Sequence, residues 1–202
     1  ASAEAIDGAV PELRITLHDA VYALDVVLVY RVHAAYDLIE RSVNVTNHGA
    51  APCTIERIWS AQWHMPAGGA YRMRHMVGRH MDEGQLRHEP LAEGVKRIES
   101  RRLASGHHNS PWFAIDRNPA ADLGPGADED RGEVWFGALA WSGNWTIAAE
   151  MTNFGSTRVN IGLNDWDFAW RLEPGATFAT PRCYAGYTAD GFGGMSRLWH
   201  GF

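Results

Sequence analysis

Apolar and polar positions alternate with a period of two along much of the chain. Ser42-Val43-Asn44-Val45-Thr46 and Arg158-Val159-Asn160-Ile161-Gly162-Leu163 are the clearest cases. Successive side chains of an extended strand face opposite sides, so this pattern predicts strands with one buried and one wetter face. Further strands are predicted at Leu13–Leu17, Ala23–His33, Thr54–Trp63, Gly132–Trp141, Ile147–Met151 and Phe168–Leu172, all rich in β-branched or aromatic residues. Turn chemistry separates them, as at Asn47-His48-Gly49, Pro66-Ala67-Gly68-Gly69, Ser142-Gly143-Asn144 and Glu173-Pro174-Gly175. The one helix expected starts near Gly194. Many short strands with no alternating helices predict an all-β fold, an antiparallel sandwich of two packed, twisted sheets with at most short helical segments. Asp116–Arg131 shows no periodicity and is expected to be a surface loop.

The length of 202 residues and 46% hydrophobic content suit a single domain, residues 1–202, with a core that needs no disulfide staples. A net charge of −6 without basic blocks argues against nucleic acid or an anionic membrane as partner. No window is long and apolar enough for a membrane span, and a cytoplasmic location is expected. Cys53 and Cys183 have no metal-binding spacing and are expected to be two buried, reduced thiols. The chain opens on Ala1 and ends on Trp199-His200-Gly201-Phe202, and it is read as a segment of a longer polypeptide.

Candidate chemistry is sparse. Asp165 and Asp167 would share one strand face, a placement that suits a pair of glycosidase carboxylates, but a turn cap beside an edge-strand acid is the plainer reading. His75 with His80, and the adjacent His107 and His108, allow a metal site to be imagined, yet no Cys or acid ligand stands at a matching spacing, so no metal and no cofactor are expected. Nine tryptophans supply flat faces that stack on sugar rings or on each other. Trp166 and Trp170, four apart on one predicted strand, would lie about 13 Å apart on the same face.

Glu99-Ser100-Arg101-Arg102 and Ser105-Gly106-His107-His108-Asn109-Ser110-Pro111-Trp112-Phe113-Ala114 open a set of collinear motifs, similar to the E-S-R-R-G…S-S-H-Q-x-N-P-F-x-A segment of family 36 of the glycoside hydrolases, which are mainly α-galactosidases. Gly132-Glu133-Val134-Trp135, Trp141-Ser142-Gly143-Asn144-Trp145 and Phe154-Gly155-Ser156-Thr157-Arg158-Val159 follow in the family's order. So do Gly162-Leu163-Asn164-Asp165-Trp166-Asp167-Phe168-Ala169-Trp170 and Gly193-Gly194-Met195-Ser196 with His200.

The resemblance implies the N-terminal β-supersandwich domain of a retaining α-galactosidase, present incompletely, because the family's sandwich normally begins well before the residue aligned with Leu13. The two catalytic aspartates belong to a barrel domain absent here, so no catalytic residue is assigned to this segment. Only Asp167 fits the family pattern, which removes the Asp165/Asp167 dyad. The implied partners are the barrel, α-galactoside substrates through the parent enzyme, and further subunits of a homotetramer. Substrate-pocket candidates are His75 and Gly78, similar to the family's H-x-x-G, with His80, His107, His108, Asn109 and Trp112. The segment departs from the family at two positions: His80 stands where tryptophan is usual, and Ser110 replaces the asparagine before proline. The alternatives are a stand-alone carbohydrate-binding module and the same domain of an α-N-acetylgalactosaminidase.

Overall fold

The computed structural model describes residues 1–121 and 125–202, and their backbone is mostly antiparallel strand. The strands are β1 (Ser2–Ile6), β2 (Glu12–Asp19), β3 (Leu24–His33), β4 (Leu38–Asn47), β5 (Cys53–Ile55), β6 (Trp59–His64), β7 (Tyr71–Arg79), β8 (Asp82–Pro90), β9 (Gly94–Ser100), β10 (Trp112–Arg117), β11 (Val134–Leu139), β12 (Trp145–Met151), β13 (Thr157–Leu163), β14 (Trp170–Leu172), β15 (Thr177–Ala179) and β16 (Cys183–Thr188). Among the described residues one α-helix, α1 (Gly191–Gly201), follows β16. A ten-stranded sheet runs β1-β2-β3-β4-β16-β11-β10-β7-β8, with β15 also paired to β4, and a smaller sheet runs β12-β13-β6. β5 pairs with β14, and β9 lies alongside β12.

The period-two pattern places the core. Tyr71, Met73, Phe113, Ile115 and Leu139 face inward from the large sheet against Trp145, Ile147, Val159 and Ile161 of the smaller one, all essentially inaccessible to water. Each such side chain contributes about 1.5–3 kcal/mol on leaving water, which makes this interface the main stabilising layer. The outer face of β10 and β11 is covered as well, because Phe192 and Met195 of α1 pack on Ala114, Val134 and Phe136. Strands buried on both faces lose the alternation that marks a half-wet strand. That is why Trp112-Phe113-Ala114-Ile115 carries no period-two signal. β8, exposed and polar on an edge, carries none either.

Other expectations are corrected. Thr54–Trp63 divides into β5 and β6, because residues 56–58 leave the ladder. The strand expected at Phe168–Leu172 shortens to β14. Asp165, Trp166 and Asp167 occupy the turn before it, with Asp167 in the left-handed region at φ 57°. Asp165 and Asp167 therefore share no strand face, and Trp166 and Trp170 do not stand on one strand. Cys183 is fully buried, and burial pushes its thiol up to about 12. Cys53 is only half-buried, because β5 belongs to a two-stranded ribbon and not to the sandwich core. The helix begins at Gly191, three residues before the expected start.

The segment expected to be a plain loop begins inside β10. Asp116, with no exposed surface, accepts hydrogen bonds from Arg72, from the His88 ring at 2.8 Å and from the Ala127 N–H at 2.9 Å. Pro119–Ala121 is a 3-10 turn, residues 122–124 lie outside the described residues, and Asp128 caps a turn through the Asp130 and Arg131 N–H groups. Burial by itself raises the Asp116 carboxyl, but His88, Arg72 and the Ala127 N–H outweigh it and hold the group below its ordinary value of 3.8. Its stabilising effect is therefore present above the ordinary aspartate value and is lost as pH falls through the lower folded value. Asp116→Asn is expected to cost about 3 kcal/mol in chemical denaturation near neutral pH, by stranding Arg72 and His88. The difference from the parent chain should close as the pH is taken below 3.8.

Candidate functional site

The loop between β9 and β10 is fixed at one end of the sandwich by three anchors. The Trp145 indole N–H donates to Ser105 Oγ at 3.0 Å, the Ser105 N–H donates to the Ser142 carbonyl at 2.6 Å, and Asn109 Nδ2 donates to the Glu99 carbonyl at 3.1 Å. The loop then runs beside the end of β7, where Asn109 bridges Val77 and the Gly78 N–H donates to the His108 carbonyl at 3.3 Å. Only glycine fits at position 78, since a Cβ there would stand 2.7 Å from the His107 carbonyl oxygen and 2.9 Å from Glu83 Cα.

Beside these contacts lies a cavity of about 270 Å³ lined by Glu99, Ser100, Arg101, Arg102, His108 and Asn109 together with Gly106. The His107 and His108 rings stack with centroids 4.3 Å apart. Partial loss of solvent, and then the charges of Arg102 and His107, hold the His108 imidazole below its ordinary value. The cavity thus offers a predominantly neutral imidazole at neutral pH, two guanidinium groups and one carboxylate, a set suited to hydrogen-bonding a polar ligand. Glu99 is not a free base, since it accepts from Arg97 at 2.7 Å and from Asn164 Nδ2 at 3.0 Å.

Of the expected pocket residues, the structure brings together Gly78, His107, His108 and Asn109. His75 lies apart, buried in β7, with its Nε2 2.8 Å from Glu89, which Lys96 also reaches at 2.6 Å. Those two partners hold the Glu89 carboxyl at about 2, with the His75 hydrogen bond the larger cause. His80 is exposed in the β7–β8 turn, and Trp112 is half-buried on the outer face beside the α1 cluster. Arg101 and Arg102 went unnoticed as site residues, although they stand in the same motif that carries the family resemblance. Asp165 is locked between Arg97 and Arg57, each 2.5 Å away. Burial raises its carboxyl, but Arg97 and Arg57 prevail and hold it below its ordinary value.

With this geometry in hand, the comparisons with known proteins decide the kinship. The sequence profile of the glycosyl hydrolase family 36 N-terminal domain matches residues 2–173. The chain belongs to that family. This family 36 domain is 35% identical over 188 residues to the α-galactosidase AgaA of Geobacillus stearothermophilus, covering 93% of the chain and 25% of the relative. It is 34% identical to a probable α-galactosidase C of Aspergillus terreus, covering 95% of the chain and 24% of the relative. The domain superimposes on a crystal structure of AgaA in complex with raffinose with a TM-score of 0.87 at 34% identity, over 94% of this chain and 25% of that one. The family 36 domain thus spans about a quarter of the length of the relatives it matches. A putative aldose 1-epimerase from Escherichia coli, at 12% identity and a TM-score of 0.51, shares the fold alone.

Two measurements check this end of the domain. Gly78→Ala is expected to destabilise it by about 1–3 kcal/mol, because the new methyl meets backbone atoms that cannot step aside. In a carbon-detected NMR titration the Glu89 carboxyl should titrate near 2, and in His75→Ala it should move up towards the ordinary value of 4.5.

Proposed function

We propose that this chain is the non-catalytic N-terminal sandwich of an α-galactosidase that removes terminal α-galactosyl residues from oligosaccharides. The family match over residues 2–173 carries the reading. Hydrolysis with retention takes place in a separate barrel domain, on two carboxylates about 5 Å apart. The acids of the site described above fit a supporting role, since Glu99 and Asp165 are both held by arginines.

Three roles follow for the sandwich. It is a scaffold for the barrel, it contributes contacts to a homotetramer in the cytoplasm, and its loops shape the substrate pocket. An apolar groove of about 770 Å³, where Val32 and Ile39 stand exposed beside Trp63 and Trp135, supports the scaffold role, because apolar surface left open to water is where another part of a protein can pack. The loop bearing His107, His108 and Asn109, braced on Gly78, supports pocket shaping, since binding residues commonly sit on loops held by a rigid frame. His75, His80 and Trp112 act around it by packing and turn geometry.

The test is the reading frame and its product. The coding sequence is expected to continue beyond Phe202 into several hundred residues, and the complete protein should release galactose from raffinose while the 202-residue chain releases none. A stop codon directly after Phe202, or a complete protein inert towards α-galactosides, overturns the proposal.

A further inference from the structure

At the edge of the sandwich, beside the cavity under the His107 loop and sharing Arg101 with it, a cleft of about 520 Å³ opens among Trp141, Trp166, Trp170, Asn144, Asp167 and Thr180. Its volume lies in the range of small-molecule sites. The three indoles are 45%, 52% and 50% exposed, unusual for a residue that normally buries most of its surface. Each is also backed by protein. The Arg101 guanidinium lies 4.0 Å over the Trp166 ring, Trp170 leans on buried Phe178 with centroids 5.2 Å apart, and the Trp141 indole rests on Gly143, where a Cβ would meet it at 2.7 Å. An aromatic plane braced on one side and open on the other is a platform that pays little entropy on binding.

The polar groups at the rim have a matching character. Asp167 is held in the left-handed region and projects its carboxylate to solvent, 3.7 Å from Arg101. This pairing leaves the mouth without net charge, which disfavours a polyanion and suits an uncharged polyol. Asn144 accepts the Leu103 N–H at 2.7 Å, which fixes the plane of its amide at the cleft wall.

We propose that this cleft binds a neutral oligosaccharide, with the apolar face of a pyranose laid on Trp166 or Trp170 and its hydroxyls bonded by Asp167, Arg101 and Asn144. Indole faces stack on the C–H faces of sugar rings, while rim carboxylate, guanidinium and amide groups exchange hydrogen bonds with hydroxyls in the ring plane. The choice of galactose-bearing sugars as probes rests on the proposed α-galactosidase function, whereas the sugar reading rests on the cleft.

The experiment is calorimetry and saturation-transfer NMR on the chain with raffinose and stachyose, and with maltotriose as a galactose-free sugar. Saturable binding in the ~0.1–10 mM range is expected. It should be roughly five- to tenfold weaker in Trp166→Ala and in Trp170→Ala, the worth of one aromatic contact. Asp167→Asn, which keeps the left-handed backbone, guards against a folding artefact and should also bind more weakly. Phe154→Ala, at the exposed β12–β13 turn, should bind as the parent does. Absence of saturable binding to all three sugars overturns the proposal, as does equal binding by the Trp166→Ala/Trp170→Ala double variant. Hydrolysis by the complete protein without cleft binding removes the cleft alone, and cleft binding without hydrolysis removes the α-galactosidase reading alone.

Discussion

Trp145 joins the inter-sheet core to the polar loop between β9 and β10. Its ring is fully buried between the sheets beside Ile147 and Ile161, while its indole N–H reaches out of the core to hold Ser105. The largest side chain of the inter-sheet layer is thereby the anchor of the polar loop as well. Because a tryptophan N–H placed in an apolar layer needs a partner, core packing and loop position are set together. Asn164 works in the same way from the neighbouring strand end. It is buried, and its amide N–H groups reach the Trp145 and Ser100 carbonyls and the Glu99 carboxylate, tying β12, β9 and the turn before β14 into one end of the sandwich.

Charge at that end is arranged in closed pairs. Arg97 bridges Glu99 and Asp165, Arg57 takes the second oxygen of Asp165, and Arg101 stands beside Asp167. Arg97 and Arg57 hold the Asp165 carboxyl below its ordinary value and occupy both its oxygens, so this acid fixes the turn before β14. This end of the sandwich is thus rich in polar groups that are tied to one another. Elsewhere the same principle is structural: Asp116, fully buried, gathers Arg72, His88 and the Ala127 N–H and so fastens the return from β10.

The sequence by itself determined the class of fold, the position of the strands with one wet face such as β3, β4 and β13, and the family, because alternation and collinear motifs are local properties of the chain. It also placed Gly78, His107, His108 and Asn109 among the binding candidates. Only the tertiary structure decided the rest. β10 is sandwiched between the smaller sheet and α1, so its residues are apolar on both faces and its period is erased, and β8 lies on an open edge where nothing demands apolar side chains. His75 and His107 carry equal weight as letters, yet one points into the sheet interior beside Glu89 and the other lies on a loop. Trp166 and Trp170 read as neighbours on one strand face, but a left-handed residue at Asp167 turns the chain between them, and they come to line one cleft with Trp141, which lies on a different turn. Which side chains share a cavity depends on pairings between strands far apart in sequence, and no local pattern encodes those distances.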